Sequence, residues 1–147
     1  MVERSAGVVI FRNTPKGRKY LLLHYPVMKS ASGKKRGGHW DFTKGHLEKK
    51  ETSLEAAQRE SREETGITRL DFVSGFKETI KYFLNYKNGN KLKFVVFFLA
   101  ETAQKRIKIS QEHRDFVWLP FAEAMSKITF KNAKNILQKA ENFLAGR

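Results

Sequence analysis

Glu60, Glu63 and Glu64 fall within five residues of a chain whose net charge is +14. On a helix, residues three and four apart are neighbours, so Glu60 shares a face with Glu63 and Glu64. Carboxylates set side by side repel one another unless a cation sits among them. A hard divalent metal such as Mg²⁺ takes oxygen ligands and often holds a phosphate as well. The pattern points to metal-assisted chemistry on a phosphate-bearing substrate.

The charge around this cluster is of the opposite sign. The chain carries 29 Lys and Arg against 15 Asp and Glu. Such a field attracts anions and raises their encounter rate. Nucleic acid, nucleotides and polyphosphates all qualify, and a lysine-rich solvated surface is the plain alternative. The distribution is uneven. Residues 28–38 hold Lys29, Lys34, Lys35 and Arg36 with no acid, and residues 76–93 hold Lys77, Lys81, Lys87, Lys91 and Lys93 against Glu78 alone. The acidic segment lies between these two stretches.

The carboxylates need a scaffold. At 147 residues the expectation is one domain, 1–147, large enough to bury a core without staples. There are no cysteines, which removes disulfides and thiolate metal sites. The first residues are charged, and the longest apolar run, residues 94–100, is far too short to span a bilayer. A cytoplasmic monomer with no membrane contact is expected.

Residues 6–11 and 20–24 read as two strands of a hairpin around a Pro/Lys/Gly turn. Residues 29–38 read as a loop, and residues 39–43 as a short aromatic segment entering Lys44-Gly45. A helix follows, opened by a Thr52/Glu55 capping box and closed by Gly66 as a left-handed cap. Its expected buried stripe is Leu54, Ala57 and Ser61, with Glu60 and Glu64 beside it. Residues 72–87 and 91–101 flank Asn88-Gly89, a hairpin signal. The run at residues 94–100 reads as a strand covered on both faces. A strand over 116–119, a short helix over 121–127 and a longer one over 132–144 complete the chain. Strands mixed with helices predict an α+β or α/β sandwich.

The spacing of the acidic stretch resembles the Nudix box. Gly45, Glu51, Arg59, Glu60, Glu63, Glu64, Gly66 and Ile67 stand at its fixed positions, within residues 45–67. Ser61 departs from the usual aliphatic residue, and a small hydroxyl is tolerated there if it bonds back to a carbonyl one turn earlier. The resemblance implies an α/β/α sandwich around a mixed β-sheet. It also implies hydrolysis of a nucleoside diphosphate linked to another group, with Mg²⁺ or Mn²⁺ as cofactor. On this basis Glu60, Glu63, Glu64 and the carbonyl of Lys44 are metal ligands, and Arg59 and Glu51 brace the loop and orient Glu60. Metals bridging phosphate oxygens neutralise charge and activate water.

The flanks narrow the resemblance. His39-Trp40-Asp41-Phe42-Thr43-Lys44-Gly45-His46 is similar to a segment of the asymmetric diadenosine tetraphosphate hydrolases, with Thr43 in place of the usual Pro. Lys50 likewise replaces a Gly common before the box glutamate. Gly75-Phe76-Lys77-Glu78, Ser110-Gln111-Glu112-His113, Trp118-Leu119 and Phe130-Lys131 follow in the same order as in that subfamily. The resemblance implies cleavage of this dinucleotide to ATP and AMP. Glu112 becomes a further metal ligand or base candidate. His39 and Lys44 become phosphate contacts. Lys81, Lys91 and Lys93 are candidates for a polyphosphate grip, with solvation on the hairpin as their alternative. Tyr82 is a candidate adenine-stacking ring, with half-buried packing as its alternative. Phe130 offers a second face for the base, or packs in the core. Trp40 is expected to pack under the loop. Two other functions stay open: pyrophosphate removal from an RNA 5′ end, favoured by the basic charge, and nucleotide or RNA binding without catalysis.

Overall fold

Two-residue alternation of apolar side chains builds the sheet, and helical spacing covers it. In the computed structural model the strands are β1 (Val2–Thr14), β2 (Gly17–Tyr25), β3 (Met28–Lys29), β4 (Lys35–Arg36), β5 (His39–Asp41) and β6 (Thr43–His46). The helix α1 (Ser53–Thr65) follows, then β7 (Asp71–Phe72), β8 (Glu78–Tyr86), β9 (Gly89–Glu101) and β10 (Asp115–Leu119), and finally α2 (Phe121–Lys127) and α3 (Lys131–Ala145). The structure describes residues 2–26, 28, 29, 35, 36, 38–86, 89–111, 113 and 115–147.

The main sheet runs β10-β2-β1-β9-β7, with β5 on β2, β6 on β1 and β8 on β9. β1 and β9 pair in parallel from Val2↔Leu92 to Phe11↔Glu101, and the other pairings are antiparallel. The sheet is therefore mixed. β1 pairs with β2 only over Phe11–Thr14. Nearer its start it pairs with β6 instead, over Ser5–Val8, while β2 turns to β5 over Leu23–Tyr25. The two central strands part there, and β5 and β6 fill the opening.

Alternation sorts the core into two layers. Val9, Phe11, Tyr20, Leu22, Val95, Phe97 and Leu99 face one way, onto Ala124 of α2 and Ile136, Leu137 and Ala140 of α3. Ala6, Val8, Ile10, Leu21 and Leu23 face the other way, onto Ala56 and Ala57 of α1. Each large apolar side chain buried this way contributes about 1.5–3 kcal/mol. The result is the expected α/β/α sandwich.

Several local expectations are corrected. Leu54 is 40% exposed and does not join the buried stripe of α1; the buried positions there are Ala56, Ala57, Ser61, Glu64 and Thr65. The helix meets the sheet one position round from the stripe, because small residues allow close approach. The strand expected over 72–87 is broken into β7 and β8, with Gly75 in the left-handed region between them. The aromatic segment at 39–43 supplies β5 and the first residue of β6. Part of the loop expected at 29–38 lies outside the described residues, and Met28–Lys29 pairs with Lys35–Arg36 across it. The β8–β9 hairpin is present, with Tyr86↔Gly89 as its last pair, although Asn88 lies outside the described residues. Among the described residues, no helix is long and apolar enough to cross a membrane.

Candidate metal and phosphate site

The carboxylates are positioned by α1 and by the loop that leads into it. Thr52 caps the helix: its hydroxyl accepts the Glu55 amide at 3.1 Å, and the Glu55 carboxylate accepts the Thr52 amide at 3.0 Å. A cap of this kind is worth about 1 kcal/mol. Gly66 closes the helix at φ +70°. Ser61 is fully buried, and its hydroxyl donates to the Gln58 carbonyl at 3.1 Å, as expected for a polar residue on this face.

Arg59 ties the loop to the helix. Its Nε and Nη2 donate to the two oxygens of Glu51 at 2.7 and 2.9 Å, a bidentate pair. Nη2 also donates to the His46 carbonyl at 3.0 Å. Nη1 donates to Glu60 at 2.8 Å and to Glu63 at 3.4 Å. The Arg59 bonds, helped by the Glu48 amide, hold the Glu51 carboxyl down to about 2.

Glu60 lies against Gly45. A Cβ on that glycine would stand 2.1 Å from the Glu60 carboxylate carbon, so any larger residue would have to displace the Glu60 side chain. Burial pushes the Glu60 carboxyl upward; Arg59 opposes this, and Glu64 and Glu63 add to it. Glu64 is nearly buried, 3% exposed. Its Oε1 accepts the Thr43 hydroxyl at 2.5 Å and the Lys44 amide at 3.0 Å. Its Oε2 faces Nε2 of His113 at 3.2 Å, without hydrogen-bond alignment. His113 is itself buried, with Nδ1 at 2.9 Å from the Ser110 hydroxyl and the ring edge-on to Tyr25.

Lys44 links the two sides of the sheet. Its amide serves Glu64, while its ammonium pairs with buried Asp41 at 2.9 Å. Burial lowers the Lys44 ammonium, but Asp41 outweighs it, with Tyr82 and Glu64 in the same sense, and the net direction is upward. Lys93 moves down, through burial and the nearby charge of Lys44. Lys44, Tyr82 and Lys93 therefore share one neighbourhood, on the face covered by α3. Lys91 lies on that face too, paired with Glu3 at 3.2 Å. Lys81 does not join them: alternation along β8 turns it to the opposite face, opposite Phe94. His39 stacks on Tyr25 at 4.9 Å and meets the Phe130 ring at 5.1 Å. Phe130 is 46% exposed and so is not core packing. Trp40 packs as expected, and its amide is held by the Thr129 hydroxyl at 2.9 Å, beside Phe130. Glu112 lies outside the described residues.

Among the described residues, no three carboxylate or imidazole groups stand together as a finished metal cage. The Arg59 guanidinium occupies Glu60 and Glu63, and Thr43, Lys44 and His113 engage Glu64. The donor set still fits a hard divalent cation. It is made of oxygens, burial and then the neighbouring Glu64 and Glu63 raise the proton affinity of Glu60, and Glu63 is exposed and reaches Arg59 only at 3.4 Å. Three partners of this site went unread in the sequence: His113, Asp41 and the hydroxyl of Thr43. Asp41 stands three residues before Lys44, and His113 follows Glu112; either spacing is a signal, but neither fixes a partner.

A sandwich of this topology carrying this carboxylate helix is a Nudix domain. The model described as NUDIX domain matches residues 1–140, and the chain belongs to the Nudix family. It is 36% identical to the asymmetrical bis(5′-nucleosyl)-tetraphosphatase of Mus musculus, over 98% of this chain and 97% of that one. The enzyme of the same name from Caenorhabditis elegans is 30% identical over 99% of each chain. The crystal structure of a C. elegans Ap4A hydrolase binary complex matches with a TM-score of 0.77 and 26% identity over 99% of each chain.

Proposed function

We propose that this chain hydrolyses diadenosine tetraphosphate asymmetrically, water entering at one phosphorus to give ATP and AMP. The observation that carries this is the two-sided engagement of Lys44. The Glu64 carboxylate accepts its backbone amide, and its ammonium, paired with Asp41, shares a neighbourhood with Lys93 and the Tyr82 ring. A long polyphosphate with a base at its end matches that arrangement better than a short diphosphate.

Glu60, Glu63 and Glu64 would hold a divalent cation, Mg²⁺ or Mn²⁺, with the Lys44 carbonyl and Glu112 as further ligands. When bound, such an ion neutralises phosphate oxygens and makes water a stronger nucleophile. Arg59 and Glu51 keep the loop closed on Glu60. The Thr43 hydroxyl and the Lys44 amide fix the rotamer of Glu64. Lys44 and Lys93, with Lys91 beside them, balance the charge of the phosphates distant from the cleavage point. Tyr82, His39 and Phe130 offer ring faces to an adenine; stacking of this kind is favourable for any base. Glu60, Glu64 and Glu112 are the candidates for the group that accepts the proton from water.

Incubation with the dinucleotide and divalent cation, followed by chromatography, should give ATP and AMP in equal amounts. Two ADP, or no reaction, would overturn the proposal. Triphosphorylated RNA in parallel separates it from pyrophosphate removal at an RNA 5′ end, and inactivity on both substrates would indicate a binding module. Glu64→Gln should retain the fold and lose most turnover at saturating cation.

A further inference from the structure

We infer that the sheet face formed by the first turns of β1 and β9 and by β8, on the α1 side, is a docking platform for single-stranded nucleic acid, distinct from the Lys44–Lys93 neighbourhood.

Register places Arg4 beside Phe94 and Lys81 opposite Phe94, with Phe83 opposite Leu92. These side chains project to the face of the sheet away from Tyr82, Lys91 and Lys93. None of Phe83, Leu92 and Phe94 belongs to the core beneath α1, and Phe83 is 69% exposed. A ring this exposed on a strand has no packing role in the fold. The exposed Arg4 guanidinium lies over the Phe94 ring at 5.4 Å, a cation–π contact that keeps a cation at this surface. The positions of the three strands that face this way include no Asp or Glu.

That combination selects the occupant. Rings accept bases by stacking, and cations beside them accept phosphates, a pairing that binds single strands with little sequence preference. An acidic peptide would use the cations but leave the rings uncovered. A second copy of this chain would bring another +14 of charge against the same surface. The platform ends at the catalytic loop, because the Arg4 carbonyl accepts the Leu47 amide at 3.1 Å. A bound strand would lie beside the carboxylates without entering the adenine and phosphate side. The inference does not depend on diadenosine tetraphosphate being the substrate.

The test is fluorescence anisotropy with labelled oligouridylate of about fifteen nucleotides bearing a 5′ hydroxyl, which gives the catalytic site no terminal phosphate to hold. The wild type should bind it at low salt. Phe83→Ala should weaken binding about fivefold or more, and Phe83→Trp should restore it. Arg4→Gln should reduce the slope of log affinity against log salt by about 0.7. Turnover of diadenosine tetraphosphate by Phe83→Ala should equal that of the wild type. Absence of wild-type binding, or equal binding by Phe83→Ala, would overturn the inference. So would a wild-type dimer in sedimentation that Phe83→Ala dissolves, since the rings would then be a protein interface.

Discussion

The Glu60 carboxylate rests on Gly45, with no room for a methyl group between them: the added carbon would stand 2.1 Å from the carboxylate carbon. The loop glycine and the helical glutamate are therefore one unit, and Arg59 clamps both ends by bonding Glu60 and the His46 carbonyl. Gly45→Ala should push Glu60 off its position and lower turnover about a hundredfold, the usual penalty for a displacement near 1 Å. Isothermal titration with Mg²⁺ and a steady-state assay check this; unchanged cation affinity would separate Glu60 from the metal.

Thr43 stands where the resembling enzymes usually have Pro, and its hydroxyl donates to Glu64. Thr43→Val keeps the shape and removes the donor. A hydrogen bond to a charged group is worth about 1.5–3 kcal/mol, so turnover should fall about tenfold or more. The signature of positioning is a fall in kcat with little change in KM, and Thr43→Ser should recover most of it.

Much of this site was legible in the residue spacing. The capping box, the Gly66 cap and the buried hydroxyl of Ser61 rest on contacts within residues 45–67, where short-range geometry follows from sequence distance, while the Arg59–Glu51 brace was implied by the family resemblance. What could not be read depends on distant chain. His113 reaches Glu64 only because the segment after β9 folds back along α1, where the Ser110 amide bonds the Glu64 carbonyl. Lys81 shares a hairpin with Lys91 and Lys93, and one step of alternation on β8 sends it to the other face. Leu54 stands at helical spacing from Ala57 and Ser61, yet it is exposed at the first turn and Ala56 is buried instead.

Lys50 holds φ at +67°, the one non-glycine residue with positive φ among those described. A side chain in that region costs about 1–2 kcal/mol, part of which glycine returns through its freedom in the unfolded chain. Lys50→Gly should raise stability by about 0.5–1 kcal/mol, read as a shifted urea midpoint with an unchanged slope.

Glu60 and Glu51 are displaced in opposite directions, and so are their linkages to pH. Glu60 is raised by burial and by its acidic neighbours, so the metal-free fold binds its proton more tightly than the unfolded chain does. Its effect on stability is therefore unfavourable once pH rises through the folded value. Glu60→Gln should make the metal-free protein melt at a higher temperature at neutral pH, and this gain should vanish in acid.

Glu51 is held at about 2 by Arg59, against an ordinary value of 4.5. Its stabilising effect is complete above pH 4.5 and fades as pH falls toward 2. Carboxyl NMR titration should place its midpoint near the lower value, and Arg59→Ala should return it to the ordinary one.

The ten-rung parallel ladder between β1 and β9 has a consequence for how the chain is made. β1 leaves the ribosome well before β9, one of its two principal neighbours, which is about ninety residues behind it. Until β9 emerges, the early hairpin offers an unpaired apolar edge with neither helical layer complete. Closing so long a loop is slow, and an unpaired strand edge invites association with other chains. Nascent-chain release experiments should find protease-resistant structure only after residue 101 has cleared the exit tunnel, and yield of soluble protein should respond to translation speed before that point.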